Sequence, residues 1–369
     1  MSGNEAEAKW MGIPEEAYSL RVPKSEGEKA IRLASKLDLL NRELRIESDG
    51  EYLFIPLIRK PNLEIKEFHE SLSQYEVLRR KFQRRRRRPR KAFEAAADRL
   101  PPHLLASFPR SIDIIGEIAI VEIPPELEAY KSIVGEAILQ THSNVKTVLA
   151  KASAVEGVER LREYEVIAGL GRTETVHREN GCTYYLDVKK VYFSPRLSFE
   201  HMRVARQVRS DETVIDMFAG VGPFSILIAK MHENVRVYAI DINPNAVRYL
   251  ERNIAANGVL GRVIPILGDA RTVIGERLKG VADRVIMNLP ERALEYVDSA
   301  CEAIKPEGGV IHFYCFSGGV DPIGEAEDKL RRTVAEAGRS FDRAISARRV
   351  REVAPGRWQV VVDALIDGH

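Results

Sequence analysis

From residue 213 onward, short apolar segments alternate with segments of helical period, and this alternation constrains the fold more than any other feature of the chain. The apolar segments are 214–218, 235–241, 263–267, 284–287 and 309–313. Strands joined through helices run parallel and form one sheet that is covered on both faces. We therefore predict an α/β fold with a doubly wound parallel sheet, closed at its far edge by a final antiparallel strand over residues 358–366.

The first of these strands runs into the loop Asp216-Met-Phe-Ala-Gly-Val-Gly-Pro-Phe224, which opens a helix. Glycines at this turn let backbone approach a ligand closely, although dinucleotide-binding folds also place glycines there. The loop lacks the third glycine of the dinucleotide motif, while Asp216 offers a carboxylate. This combination suits a cationic ligand such as S-adenosylmethionine better than an anionic pyrophosphate.

Carboxylates also follow the next two strands. Asp241 is placed to accept from ribose hydroxyls and Asp269 from an adenine amino group. In the alternative interpretation these acids only cap helices. The residues predicted to contact the cofactor are Asp216, Phe218, Ala219, Gly220, Gly222, Asp241, Asp269 and Asn288.

The chain before this sheet predicts two smaller α+β domains and a linker. We expect a small N-terminal α+β domain over 1–64, a basic helical linker over 65–106, a middle α+β domain over 107–192 and the sheet domain over 193–369. Within the middle domain, Asn180-Gly181 is the pair that a type I′ hairpin turn requires.

The linker carries an unusual concentration of positive charge. The net charge of +2 hides this, because 56 basic and 54 acidic residues cancel over the whole chain. Arg84, Arg85, Arg86, Arg87 and Arg88 stand in one run without an acid. Such a run attracts a polyanion such as RNA, and a solvated linker is the alternative interpretation.

Other protein classes are disfavoured by composition. The three cysteines are far apart, the histidines show no ligand spacing, and no apolar run could span a membrane. The first residues are acidic, where a signal peptide would be basic. We expect a cytoplasmic protein without a metal site, a disulfide framework or a membrane partner.

A loop after the fourth strand and a segment before the sheet carry a family resemblance. The loop is Asn288-Leu289-Pro290, and the segment runs from His177-Arg-Glu-Asn-Gly181 to Ser194-Pro-Arg-Leu-Ser-Phe-Glu200. Together with the glycine loop, they closely resemble the archaeal and eukaryotic tRNA (guanine-N1)-methyltransferases that act at tRNA position 37. The resemblance implies a Rossmann-like class I methyltransferase domain preceded by two smaller domains, with S-adenosylmethionine as methyl donor.

The resemblance also implies roles for individual residues. Glu200 matches the family's general base, and a Glu that merely stabilises the first turn of a helix is the alternative. Arg160 matches the arginine that stabilises charge on guanine O6, with Arg162 as a competitor. Tyr192 and Asn288 match residues that hold the flipped base and the cofactor, and Pro290 would make their loop rigid. Arg178 and Arg196 are candidates for RNA contacts, and His201 departs from the arginine that usually follows the glutamate.

By the same resemblance, the partner is tRNA, bound at its anticodon loop and its outer corner by a monomeric enzyme. A wyosine precursor is a second potential methyl acceptor. Two alternatives stay open: an aminocarboxypropyl transferase of wyosine biosynthesis, which usually lacks Asn-Leu-Pro after the fourth strand, and a non-catalytic tRNA-binding protein.

Overall fold

The chain divides into two units, Met1–Arg88 and Pro89–His369. The computed structural model describes residues 14–84, 89, 91–153 and 162–368. No helix within these ranges combines the length and the apolarity that crossing a bilayer requires. Each unit is described by itself below.

The first unit is a four-stranded antiparallel sheet with helices. Its elements are β1 (Glu15–Pro23), α1 (Gly27–Lys36), β2 (Glu47–Ser48), β3 (Tyr52–Leu57), α2 (Ile65–Ser71) and β4 (Glu76–Phe82). The strand order is β2-β3-β1-β4. Leu20 and Ile55 meet across β1 and β3, and both are fully buried in the core of this unit.

The prediction of a helical linker over 65–106 is wrong for β4. This segment pairs antiparallel with β1, so it belongs to the sheet of the first unit. Basic side chains hide the strand pattern, and two of them form ion pairs: Arg79 with Glu16 on β1 and Arg80 with Glu47 on β2. Only Phe82 is fully buried, as expected for a solvated edge strand.

The second unit begins with a mixed sheet and a hairpin. The elements are α3 (Ala92–Ala96), β5 (Ile112–Ile115), β6 (Ile118–Val121), α4 (Lys131–Thr141), β7 (Thr147–Lys151), β8 (Tyr164–Gly169), β9 (Glu174–Glu179) and β10 (Cys182–Asp187). The sheet has the order β5-β6-β7-β8. Asn180 and Gly181 join β9 to β10 with φ values of 49° and 74°, which confirms the predicted hairpin turn.

The remainder of the second unit is a seven-stranded sheet covered by helices. Its elements are α5 (Ser198–Ala205), β11 (Thr213–Asp216), α6 (Pro223–Met231), β12 (Arg236–Asp241), α7 (Pro244–Ala256), β13 (Val263–Leu267), α8 (Ala270–Val273), β14 (Arg284–Met287), α9 (Val297–Ala303), β15 (Gly308–Gly318), α10 (Pro322–Glu336), β16 (Phe341–Ala354) and β17 (Arg357–Asp367). The order is β13-β12-β11-β14-β15-β17-β16. The first five strands are parallel, which confirms the α/β prediction.

The edge of this sheet differs from the prediction. β17 is antiparallel as expected, but it lies between β15 and β16, so β16 forms the edge. β16 escaped prediction because it is rich in arginine and its register shifts repeatedly, which breaks the alternation of apolar and polar positions. The strand order reverses beside β11, and this is the place where α/β sheets bind ligands.

Candidate active site

A cavity lies at the carboxyl ends of β11 to β14. It is lined by most of the residues predicted to contact the cofactor, together with Tyr192: Phe218, Ala219, Gly220, Asp241, Asp269 and Asn288. Asp216 and Gly222 are not among its lining residues. The cavity therefore joins four strand ends that the sequence placed together.

The glycine loop is shaped by two left-handed residues. Gly220 and Gly222 have φ values of +55° and +92°. Gly220 donates its backbone N–H to Oδ2 of Asp241 at 2.7 Å, while Oδ1 accepts from the backbone N–H of Asn243 at 2.9 Å. A Cβ on Gly222 would lie 2.5 Å from Cδ1 of Leu250, so a side chain has no room where α6 begins.

Asp216 is fully buried at the end of β11. Its Oδ2 accepts from the Ser225 hydroxyl at 2.7 Å, whereas its Oδ1 has no hydrogen-bond partner among the residues that the structure describes. Burial raises the pKa of Asp216 to about 7, and the hydrogen bond from Ser225 opposes this rise only in part. A positively charged ligand in the neighbouring cavity would stabilise this carboxylate, which fits a sulfonium cofactor.

Asp269 caps a helix and also lines the cavity. Its Oδ1 caps α8 by accepting from the backbone N–H groups of Arg271 and Thr272 at 2.9 and 3.3 Å. Its Oδ2 accepts from the hydroxyl of Tyr296 at 3.2 Å. The Tyr296 ring also meets Phe218 edge to face, with centroids 5.1 Å apart. Tyr296 lines the cavity, and no sequence signal pointed to it.

The C-terminal hairpin, β16–β17, contacts two of the predicted catalytic residues. Gln359 donates to Oδ1 of Asn288 at 3.5 Å and accepts from Nε of Arg351 at 2.8 Å. Arg351 also donates to the hydroxyl of Tyr192 at 3.5 Å and to that of Ser194 at 3.3 Å. These contacts connect Asn288 to Tyr192 through residues that sequence reasoning missed.

Pro290 takes part through its backbone rather than its ring. It is buried outside the cavity lining, and its carbonyl accepts from the N–H of Phe316 at 3.2 Å. The loop that carries Asn288 is therefore anchored to β15.

Glu200 is buried in the first turn of α5, with 1% of its surface exposed. Its Oε2 accepts from the hydroxyl of Tyr314 at 2.9 Å and from Nε of Arg203 at 3.0 Å. Its Oε1 forms an ion pair with Arg348. Glu200 does not line the cavity itself, but the adjacent residues Leu197 and His201 do. The Glu200 carboxylate is thus held by two hydrogen bonds and one ion pair, beyond any effect of its charge on the helix.

A buried chain of charges extends from Glu200 across the sheet. Arg203 pairs with Asp363, whose Oδ1 accepts from Nδ1 of His312 at 2.6 Å. Arg284 donates to Nε2 of His312 at 2.8 Å and pairs with Glu212. Because Nε2 accepts, the proton of the imidazole resides on Nδ1.

The pKa values of His312 and Asp363 in this network follow from their burial and from their charged partners. Burial lowers the pKa of His312, which keeps the ring neutral. Burial raises the pKa of Asp363, but contacts with His312 and Arg203 outweigh that effect and hold it well below its usual range. The network thus keeps Asp363 ionised and fixes Arg203 against Glu200.

His201 replaces an expected arginine and is buried beside Glu200. It contacts Oε1 of Glu179 at 2.6 Å, and its ring meets Phe224 edge to face at 4.6 Å. Burial raises the pKa of Glu179, but hydrogen bonds from His177 and His201 overcome this and hold it at about 2. His201 therefore ties α5 to the β9–β10 hairpin.

A second cleft shares Tyr192 with the cavity. Its lining includes the cations Arg162, Arg196, Arg351 and Arg357. Nε of Arg162 is buried, and no described residue forms a hydrogen bond with it. Arg196 donates to Asp113 at 2.5 Å and to Ser111 at 2.6 Å.

Among the described residues, Arg84 and Arg178 are also predicted to bind RNA, and neither lines this cleft. Arg178 is exposed on β9 and lines a different groove. Arg84 pairs with Glu15 in the first unit. Arg160 and Arg85 to Arg88 lie outside the described residues.

Comparison with known proteins places these features in context. Residues 175–343 match the TRM5/TYW2 methyltransferase domain, residues 93–173 the TYW2 N-terminal domain, and residues 19–65 the tRNA methyltransferase 5 N-terminal domain. The tRNA (guanine(37)-N(1))-methyltransferase Trm5b of Pyrococcus abyssi is 42% identical over 94% of this chain and 98% of its own. The tRNA 4-demethylwyosine(37)-methyltransferase Taw21 of Saccharolobus solfataricus is 40% identical over 69% of this chain and 93% of its own.

More distant similarity reaches a different transferase and a complex. The tRNA(Phe) (4-demethylwyosine(37)-C(7)) aminocarboxypropyltransferase of Pyrococcus horikoshii is 34% identical over 73% of this chain and 94% of its own. The solved complex of aTrm5 with tRNALeu superposes with a TM-score of 0.78 at 33% identity, covering 95% of this chain and 99% of that one. The chain belongs to the TRM5/TYW2 methyltransferase family.

Proposed function

We propose that this protein is a tRNA methyltransferase that methylates N1 of guanosine 37, using S-adenosylmethionine. The proposal rests mainly on Glu200, a buried carboxylate that is held by two hydrogen bonds and one ion pair. The next residue, His201, lines the cavity. Similarity over 94% of the chain to a methyltransferase with this specificity supports the same conclusion.

The cavity residues fit the cofactor. Asp241 and Asp269 line the side expected for ribose and adenine, Gly220 brings backbone to the cavity, and the unpaired Oδ1 of Asp216 favours a cation nearby. When bound, S-adenosylmethionine would supply an electrophilic methyl group on a sulfonium, whose sulfur would keep the electron pair once the methyl group is transferred.

Glu200 makes N1 a nucleophile. N1 of guanine holds a proton at neutral pH, so a base must remove it before or during attack. Tyr314 and Arg203 both donate to Oε2, whereas Oε1 pairs with the partly exposed Arg348, so we assign Oε1 as the oxygen that accepts the proton. Asn288 and Tyr192 flank the reacting base, while Arg160 or Arg162 provides a guanidinium for O6.

Binding of tRNA must offset the cost of extruding a stacked base, which is a few kcal/mol. We propose that the second unit contacts the anticodon loop, with Arg196 and the basic cleft beside Tyr192, and that Arg178 meets a phosphate. The first unit contacts the outer corner of the tRNA. The enzyme acts as a monomer.

Replacement of Glu200 by Gln tests the base directly. We expect single-turnover methylation of unmodified tRNA to fall at least about 100-fold, as is typical when a general base is lost. Nucleoside mass spectrometry identifies the product, and calorimetry with S-adenosylmethionine shows whether the cofactor site survives. A Glu200→Gln enzyme with wild-type rate contradicts the assignment.

A second acceptor, the wyosine precursor, is supported by the similarity to Taw21. Nucleoside analysis after reaction with precursor-bearing tRNA tests it, since a methylated precursor would establish dual activity. Aminocarboxypropyl transfer has less support because the relative with that activity is more distant and Asn288-Leu289-Pro290 is present. The same analysis would reveal its heavier product.

A further inference from the structure

Arg348 lies on the solvent side of Glu200. It comes from the edge strand β16, its side chain is 32% exposed, and it pairs with Oε1, the oxygen left free by Tyr314 and Arg203. Its guanidinium stacks on the ring of Phe199 at 4.9 Å. Glu200 is 1% exposed, so Arg348 is the more accessible member of this pair.

The guanidinium of Arg348 also has a donor to spare. Its Nε is buried and has no hydrogen-bond partner among the described residues. A buried donor without a partner is costly, and an incoming acceptor relieves that cost. This unpaired N–H belongs to the guanidinium that pairs with Glu200, the carboxylate that we propose as the base.

A carboxylate beside a guanidinium complements one edge of guanine. Guanine presents N1–H as a donor next to O6 as an acceptor, whereas adenine presents N1 as an acceptor next to an amino donor. We propose that Arg348 and Glu200 together read the N1–H/O6 edge of the target guanine, with Arg348 donating to O6 while Glu200 accepts the N1 proton.

This pairing also acts on the reaction. As the N1–H bond breaks, its proton passes to Oε1 of Glu200 and its electron pair becomes available to form the new N–C bond. Negative charge meanwhile spreads onto O6, where donors from Arg348 stabilise it more than they stabilise the neutral base. Glu200 afterwards releases the proton to water.

Arg348 is therefore a catalytic residue in addition to the arginine expected from the family resemblance. It lies beyond residues 175–343, the segment that matches the methyltransferase domain of the family. The inference rests on the proposed function, because it requires Glu200 to be the base.

The test compares Arg348→Gln with Arg349→Gln. Arg349 is the next residue on β16, stacks on Trp358 at 5.0 Å and has no described contact with Glu200, so it matches the loss of charge. The first measurement is cofactor-free affinity for tRNAs that carry guanosine, inosine or adenosine at position 37. The second is the single-turnover methylation rate with saturating enzyme.

We expect wild type and Arg349→Gln to prefer guanosine and inosine over adenosine by about tenfold, and Arg348→Gln to lose this preference. We expect the methylation rate of Arg348→Gln to fall about 100-fold. Equal behaviour of the two variants overturns the inference and leaves Arg348 as an ordinary phosphate contact. A fast Glu200→Gln enzyme instead overturns the base assignment, so the two failures are distinguishable.

Discussion

At the scale of single residues, the site depends on how each carboxylate is held. Glu200 shares Oε2 between Tyr314 and Arg203, whereas Asp216 leaves one oxygen without a partner. The first arrangement fixes a base in one orientation, and the second leaves a buried charge that a cationic cofactor can stabilise. We therefore test Glu200 by removing one of its donors and Asp216 by removing its charge.

Tyr314→Phe removes one donor from the ionised form of Glu200. We expect the acid limb of the single-turnover pH–rate profile to move to higher pH, because hydrogen bonds to a carboxylate favour its charged form. Tyr184→Phe is the matched control, since Tyr184 is also fully buried but donates to the carbonyl of Pro223. An equal displacement in both variants would mean that Tyr314 has only a packing role.

Asp216→Asn should change how stability depends on pH. The folded pKa of Asp216 is about 7, above its ordinary value of 3.8, so the folded state retains a proton that the unfolded chain loses. The stabilising effect is complete below about pH 4 and disappears as pH rises through 7, a change of up to about 4 kcal/mol. Asparagine should abolish this component of the unfolding free energy measured by urea denaturation, and weaken binding of S-adenosylmethionine. If the unfolding free energy of Asp216→Asn depends on pH as that of the wild type does, the raised pKa of Asp216 is contradicted.

Some of these residues were accessible to sequence reasoning. Asp241 and Asp269 follow apolar strands, and strand ends of a parallel sheet meet at one edge, so their shared cavity could be predicted. Arg351 could not, because its partner Ser194 is 157 positions away and neither stands in a local pattern. Such long-range contacts depend on register, which composition does not encode.

At the scale of elements, the parallel strands were predictable and the edges were not. β14 has four buried positions in succession, as expected for a strand covered on both faces. β4 and β16 are edge strands whose arginines remain solvated, so their sequences show no apolar run. Edge strands avoid the signal that identifies central strands.

The start of α6 offers a test at this scale. Gly222→Ala would place a Cβ 2.5 Å from Leu250 at a φ of +92°, so crowding adds to backbone strain. We expect the unfolding free energy to fall by about 2–4 kcal/mol. Gly258→Ala is the control, since it has a φ of +69° but open space within 4 Å, and it should lose only about 1–2 kcal/mol. Equal losses would show that crowding at α6 contributes nothing.

At the scale of the whole molecule, the two units allow tRNA and cofactor binding to be separated. Deletion of Met1–Arg88 removes the whole first unit, including β4. A cut at the predicted boundary of residue 64 would instead leave β4 in the protein without β1, the strand with which it pairs. We expect tRNA affinity to fall at least about tenfold while S-adenosylmethionine affinity stays within about twofold. Parallel losses of both affinities contradict a role for the first unit in tRNA recognition.

The arginine run belongs to the same scale because its effect is electrostatic. If Arg84 to Arg88 contact phosphates, replacing all five by Ala should reduce the slope of log affinity against log salt by up to about 4. Arg84 already pairs with Glu15, which lessens its share. Filter binding of tRNA across a salt series measures the slope, and an unchanged value favours the solvated-linker interpretation.

The insertion of β17 between β15 and β16 has a consequence for biosynthesis. β16 is synthesised before β17, yet β17 is the strand with which it pairs among the described residues. Because β17 in turn pairs with β15, β16 cannot join the sheet before β17 does. The ion pair between Arg348 and Glu200 therefore depends on β17 as well as on β16. A nascent chain that ends before Arg357 would contain the residues of the nucleoside cavity but not the strand that positions Arg348 beside the proton acceptor.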